Sequence, residues 1–406
     1  MRHLPSSNNT SNNKNMYEVR KLHLKPTPEL DALARAAGEL YTRTLVGFWR
    51  TVRKKNIWLK ASSMMRWHTS NQLHAHSADA VVQSFYAALK SWRERRKTDP
   101  QAKPPYRRRF YFRIQWKSSA IRVRAGKLIL SNGRGNAPLV VPWPWEIPVL
   151  VELGWAGTAY ELRAVYVRPA AKPVAQGDTA GVDLGEVHLA VVHDGTRTTI
   201  YNGRELRATR RYQNKLKAIL SAKQSRMQKG SRRWRKLQRS KRKQLRKLDH
   251  QIWDILHKQT TMLVSTLHAS GVQTVVIGDV RDLRKRVDYG PAVNQRIHQM
   301  VSGKVRWLIT YKAERLGIRV ELQDEAYTSQ ECPRCGCRHK PKGRVYICPT
   351  CGFRFHRDGV GAVNIRRKYL GLGPVVGAMA SPTGVRWHPH LRTRVARDER
   401  ERIPVL

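Results

Sequence analysis

At 406 residues the chain is long enough for more than one hydrophobic core, since single cores seldom grow past about 250–300 residues. Lysine and arginine number 78 against 29 aspartates and glutamates, a formal net charge of +49, and such an excess repels itself unless a polyanion neutralises it. A hydrophobic share of 40% excludes a wholly disordered basic tail, and no run approaches the roughly 20 apolar residues of a membrane span. Nucleic acid is the expected partner, and no membrane is.

Residues 1–15, rich in Ser and Asn and without an apolar signal region, read as a disordered N-terminus, which implies a cytoplasmic protein. Lys21 to Lys25 are a candidate first strand. Thr27-Pro28-Glu29 then offers a capping hydroxyl, proline at the first helical position and an acid in the first turn. Leu30, Leu33, Ala37, Leu40, Tyr41 and Phe48 follow at helical spacing, and Val81, Phe85, Leu89 and Trp92 mark a second helix, so 27–96 reads as a helical lobe. After Pro104-Pro105 the order Phe110, Phe112, Ile114, Trp116 alternates like a strand with one buried face. Shorter alternations continue at Ile121/Val123, Leu128/Leu130 and Tyr160/Leu162, which predicts a small antiparallel barrel or sandwich from 97–170 together with 16–26. Residues 171–179, with Pro173 and Gly177, read as a linker.

Beyond the linker come a strand from Gly181 to Val192, two long basic helices around Gly230-Ser231, and a buried strand from Thr274 to Asp279. A helix through Trp307 and Tyr311, a strand from Gly317 to Gln323, a cysteine cluster and a last helix from Val360 to Leu370 complete the order. Strands alternating with helices predict an α/β sheet, and the charged tail at 372–406 carries no expected structure.

All five cysteines fall between Cys332 and Cys351. Cys332-Pro-Arg-Cys335 and Cys348-Pro-Thr-Cys351 are two C-x2-C knuckles, each followed by a glycine able to turn the chain around a metal. This spacing predicts a tetrahedral, structural Zn2+ site with Cys337 as a spare thiol. Four thiolates leave no open position for a substrate water, so the zinc is not the catalyst.

Cutting phosphodiesters with two divalent ions requires several carboxylates at one spot. Asp183 lies within the apolar run Gly181-Val-Asp-Leu-Gly185, where an acid is costly to bury without a cation. Asp358 follows the cysteine cluster, where a rigid metal-bound module can hold it in place; standing alone it reads better as a helix cap. From Leu206 to Arg246 acids are absent while an apolar seam (Trp234, Leu237, Leu245, Leu248, Ile252, Ile255) persists, predicting a packed hairpin with a cationic outer face for nucleic-acid backbone. Arg107, Arg108 and Arg109 suggest a second contact surface.

Taken together, Gly181-Val-Asp183-Leu-Gly185, Tyr212-Gln-Asn214-Lys215, Gly230-Ser231-Arg232-Arg233-Trp234, His257-Lys258, Tyr327-Thr-Ser-Gln330 and Arg357-Asp358 through Asn364-Ile365 resemble the TnpB proteins of bacterial insertion sequences. TnpB proteins are RNA-guided nucleases related to type V CRISPR effectors and to Fanzor. The likeness runs from about Lys21 to Leu370 and is strongest after Ala180. It implies a multidomain α/β protein: a wedge β-barrel (16–26 and 97–170) carrying a helical recognition lobe (27–96), then a RuvC, RNase H-like nuclease domain (180–327 and 354–371) with an inserted zinc ribbon (328–353). It further implies a guide RNA, a double-stranded target DNA with a flanking motif, two catalytic Mg2+ ions, one protomer per guide RNA, and nucleic-acid contacts through Tyr212, Asn214, Lys215, Arg232, Arg233 and Lys258.

One departure matters. The commoner family pattern has glutamate before aspartate on the strand after the basic helices, and here Gly278 precedes Asp279. Asp279 is one replacement, although alternation aims it away from the face of Gly278. Asp324 is favoured by simple alternation along its strand, and Glu325 by the resemblance to rearranged relatives; a dead site is the fourth possibility. With Glu325 chosen, the expected catalytic set is Asp183, Glu325 and Asp358, and Gly278 makes room for a side chain from the neighbouring strand. Competing with guided cleavage are guided binding without cleavage, as a repressor, and strand transfer by a transposase.

Overall fold

The computed structural model describes residues 16–279, 290, 294–295, 300–374 and 382–385. The expected disorder at 1–15 and most of the tail at 372–406 lie outside these residues. The chain divides into two compact units, Met1–Pro169 and Ala170–Leu406. Among the described residues no helix is long and apolar enough to cross a membrane.

In the first unit, β1 (Met16–Leu24) leads into α1 (Pro28–Lys55). The start of α1 follows from its residues: Thr27 Oγ1 accepts from Leu30 N–H at 3.3 Å, Pro28 occupies the first turn, and Glu29 and Asp31 face the positive helix end. Its apolar stripe packs with α3 (Ala75–Thr98); a short helix, α2 (Ala61–Trp67), lies between them in sequence and is not marked by the apolar spacing. The strands form two hydrogen-bonded sheets instead of one closed barrel sheet. β1, β7 (Tyr160–Arg168), β6 (Leu150–Trp155) and β2 (Ile114–Lys117) make one, and β3 (Ile121–Arg124), β4 (Lys127–Leu130) and β5 (Leu139–Pro142) the other. A single 3-10 turn, Ser118–Ala120, carries the chain from the first sheet to the second. Both sheets and the helices share one core that includes Phe48, Phe85, Trp116 and Trp143.

The strand expected from Phe110 begins only at Ile114. Upstream of it the main chain bonds to α1: Phe112 N–H donates to Ala34 O, and Arg109 N–H donates to Thr42 Oγ1. Gly38 permits this approach, because a Cβ there would collide with the Phe110 carbonyl. Phe110 and Tyr111 are consequently exposed, not core.

In the second unit a mixed sheet runs in the order Arg319–Gln323, Val272–Gly278, Asp178–Asp183, His188–His193, Thr198–Asn202, Thr383–Val385. β8 (Asp178–Asp183), β9 (His188–His193) and β10 (Thr198–Asn202) are an antiparallel meander, so the run expected as one strand is two, broken at Leu184-Gly185. β11 (Val272–Gly278) and β12 (Arg319–Gln323) add in parallel on the β8 side, and β13 (Thr383–Val385) pairs with β10. α4 (Arg204–Ser225) and α5 (Arg232–Ala269) form the basic hairpin, and Ser231 Oγ caps α5 by accepting from Trp234 N–H. The buried seam of α5 begins at Leu248 and runs to Leu267, so the tip of the hairpin is thinly packed. α6 (Ser302–Arg315) precedes β12, and α7 (Arg357–Leu370) lies against β8 and β9.

Candidate active site and metal centre

β8, β11 and β12 run parallel, with Ile277 beside Val182 and Gly278 beside Gln323. Asp183 and Gly278 therefore both stand at the carboxyl ends of their strands, the edge where open α/β sheets place ligands. Asp183 is deeply set yet partly open to solvent. Two glycines bring α7 onto it: a Cβ at Gly181 would strike the Ala362 carbonyl, and one at Gly361 would strike the Asp183 carboxyl. α7 begins at Arg357, earlier than its apolar spacing suggests, so Asp358 sits in its first turn.

Glu325 lies just past β12, where alternation has ended. Its carbonyl accepts from Thr328 N–H at 3.1 Å and from Thr328 Oγ1 at 3.0 Å, which folds the chain into a turn. The turn swings the Glu325 side chain over Gly278, filling the space that a Cβ at 278 would need. Glu325 Oε1 is buried without a hydrogen-bond partner among the described residues.

Electrostatics tie the three acids together. Burial, then the carboxylates of Glu325 and Asp358, push the Asp183 pKa well above its ordinary value, opposed by Arg357. Burial, then Asp279 and Asp324, push Glu325 up to about 7. Burial also acts to raise Asp358, but the hydrogen bond and charge of His188, helped by His356 and Arg344, outweigh it and hold that acid below its usual range. Like-charged buried acids with a bare oxygen are the donor set that a hard dication satisfies, so Asp183, Glu325 and Asp358 fit divalent ions.

The other two acids considered at this strand end are engaged elsewhere. Asp324 is exposed and pairs with Lys368 at 3.0 Å, and Asp279 pairs with Arg306 at 3.6 Å. Histidines complete the site in a way the sequence does not signal. His188 Nδ1 donates to Asp358 Oδ2 at 2.7 Å, and the His356 ring packs 5.1 Å from that of His188. His188 opens β9 and is separated from Asp358 by 170 residues, so no spacing rule links them.

In the cysteine cluster, Cys332, Cys335, Cys348 and Cys351 bring their sulfurs within 4.8 Å of one another. Sγ separations of 3.6 Å (Cys332–Cys351) and 3.5 Å (Cys335–Cys348) suit a tetrahedron of Zn–S bonds of about 2.3 Å. Cys351 N–H points at Cys348 Sγ, as ligand thiolates require. Cys337 lies outside this set, although its sulfur approaches Cys348 at 3.1 Å. The cluster is joined to the carboxylates by Asn364, which donates to Thr328 O at 2.7 Å and Glu331 O at 2.8 Å and so clamps the stretch between Glu325 and the first knuckle to α7.

Of the expected nucleic-acid residues, Arg107, Arg108 and Arg109 are exposed on the loop along α1. Tyr212 and Lys215 are exposed on α4 with Asn214 half-buried, and Arg232 and Arg233 are exposed at the start of α5. Lys258, deeper along α5, pairs with Asp254 at 2.9 Å within its own helix.

Two family models match the chain: one described as a probable transposase at residues 162–284, and one described as a Cas12f1-like TNB domain at residues 303–365. A TnpB-like protein of Methanocaldococcus jannaschii is 31% identical over 122 residues, covering 30% of this chain and 44% of the relative. The match thus spans less than half of that relative's length. A putative transposase of the same organism is 30% identical over 88 residues, 19% of this chain and 81% of its own. Among solved structures, a Cas12f1 complex with single guide RNA and target DNA aligns over 83% of this chain and 81% of its own with a TM-score of 0.52 at 13% identity, a likeness of fold. The mixed α/β fold, the four-cysteine cluster and these matches across residues 162–365 agree, and the chain belongs to the TnpB family.

Proposed function

We propose that this protein is an RNA-guided DNA endonuclease whose cutting site is formed by Asp183, Glu325 and Asp358 at the carboxyl ends of β8 and β12 and the start of α7. The observation that carries the reading is the Glu325 side chain lying over Gly278, where it adds its charge to Asp183 alongside Asp358. Gly278 is the ground for a non-cleaving protein, and a carboxylate in the space it leaves weakens that ground. The sheet order, an antiparallel meander extended by two parallel strands, supports the RuvC, RNase H-like reading of residues 180–327 and 354–371.

Asp183, Glu325 and Asp358 would hold divalent ions, with Mg2+ the proposed species, which would supply charge stabilisation at the scissile phosphate. The protein's own part is to present three carboxylates that repel one another until cations arrive; burial and the neighbouring acids raise the pKa of Asp183 and Glu325, so cations compete with protons there. Turn 325–328, clamped by Asn364, fixes where Glu325 points. The four-cysteine ribbon, with zinc as its structural ion, holds the far side of that turn. Guide RNA and its heteroduplex with target DNA suit the acid-poor α4–α5 hairpin through Tyr212, Asn214, Lys215, Arg232 and Arg233, with duplex DNA along the Arg107–Arg109 loop.

The test is to purify the full chain, sequence the RNA that accompanies it, and supply a matched plasmid with Mg2+. A discrete RNA and a linearised plasmid are expected. Guided binding without cutting in Mg2+ or Mn2+ overturns the cleavage reading, and absence of any discrete RNA overturns the guided one.

A further inference from the structure

The carboxylate site has a nitrogen-bearing flank that cutting with Mg2+ does not require. His188 (β9), His356 (immediately before α7) and Asp358 each offer one donor atom, all within 4.8 Å of one another. Part of this is an ordinary hydrogen bond, His188 Nδ1 to Asp358 Oδ2 at 2.7 Å. That bond does not account for His356. Its Nδ1 is buried without a hydrogen-bond partner among the described residues, while its ring rests against His188 at 5.1 Å between centroids. A buried ring nitrogen without a partner, on an imidazole beside a second imidazole and a carboxylate, calls for a proton donor or a cation.

We infer that His188, His356 and Asp358 form a binding site for one transition-metal dication able to take imidazole nitrogen, of the Mn2+, Co2+ or Zn2+ class, beside the Asp183–Glu325 carboxylates. Two imidazoles and one carboxylate are a donor set that such ions accept and that Mg2+, which demands oxygen ligands and holds its waters, does not. The neighbouring charge is mixed: Arg344 bears on both Asp358 and His356, and Arg357 on Asp183, while Glu325 and Asp183 supply the opposing anions. The site shares Asp358 with the proposed nuclease centre and rests on that reading for its place beside the substrate, but not for its ability to bind a metal.

The full chain, with its cysteine cluster loaded with zinc and without RNA or DNA, is titrated with Mn2+ and examined by pulsed electron paramagnetic resonance. Bound Mn2+ is expected to show modulation from directly ligated imidazole nitrogen. The signal is expected to survive in an Asp183→Asn/Glu325→Gln variant, which lacks the other acids, and to disappear in His188→Asn/His356→Gln. Mn2+ affinity in the histidine variant is expected to fall about tenfold further than Mg2+ affinity, which loses only the His188 hydrogen bond to Asp358. Zinc content and thermal melting report whether that variant still folds; if it does not, His356→Gln alone, at the ring nitrogen without a partner, and the wild-type spectrum decide. Absence of nitrogen modulation in saturated wild-type protein overturns the proposal, as does its persistence after both histidines are removed. Neither outcome touches the cleavage reading, which is measured with Mg2+ and a matched target.

Discussion

The four-cysteine cluster and the carboxylate site lie side by side in one unit, yet they are built on opposite plans. The cluster draws its four cysteines from 20 consecutive residues, Cys332 to Cys351, and two local turns bring the sulfurs together. The carboxylate site draws its acids from β8, the turn after β12 and the start of α7, and owes its geometry to glycines that let those elements touch. Local spacing determines the first; sheet order and close approach determine the second. The difference predicts where each will break.

The largest effect belongs to the acids. Asp183→Asn or Glu325→Gln is expected to lower cleavage by about 10³-fold with guided DNA binding kept, since charge stabilisation at the reacting phosphate is removed and the fold is not. Binding and cleavage falling in parallel would mean that these acids hold the structure. At the ribbon the order reverses. Cys348→Ser is expected to release zinc and loosen the stretch that Asn364 clamps, a local cost on the order of 10 kcal/mol of metal-coupled folding, whereas Cys337→Ser keeps the metal. Zinc content and proteolysis of residues 328–353 measure both.

A smaller effect separates the two regions by pH. Glu325 titrates up to about 7 in the folded protein against an ordinary value of 4.5, so between these values the native state binds more protons than the unfolded one. Stability without Mg2+ should therefore fall as pH rises from 4.5 towards 7 and level off above, by at most about 3 kcal/mol. Glu325→Gln should flatten this slope in thermal melts, and Mg2+ should offset it. Smallest is the outer surface: Arg232→Ala/Arg233→Ala should reduce the salt dependence of nucleic-acid binding by about one unit of log–log slope for each phosphate no longer neutralised, leaving cleavage at saturation unchanged.

The same contrast explains what the sequence reveals. Capping chemistry at Thr27-Pro28-Glu29 and the C-x2-C spacing are encoded within a few residues, and the structure realises both locally. Spacing alone leaves Glu325, Asp324 and Asp279 open, because the turn after β12 breaks the alternation that would rank them. His188 is invisible for a related reason: its partner Asp358 is near only after β9 and α7 have packed. Phe110 misleads because main-chain bonds to α1 at Ala34 and Thr42, not a strand partner, fix its segment. The strand from Gly181 to Val192 reads as continuous because β8 and β9 are both apolar, and only the pairing of Asp183 with Val191 exposes the reversal.

The decisive measurement is an exchange at the carboxylate site. Gly278→Ala should impair cleavage by pushing the Glu325 side chain aside. Glu325→Gly should abolish it, and Gly278→Glu combined with Glu325→Gly should restore guided cutting by supplying the carboxyl from β11. No recovery in a folded double variant, with Glu325→Gly still active and Asp279→Asn inactive, would contradict the assignment of Glu325 to this place.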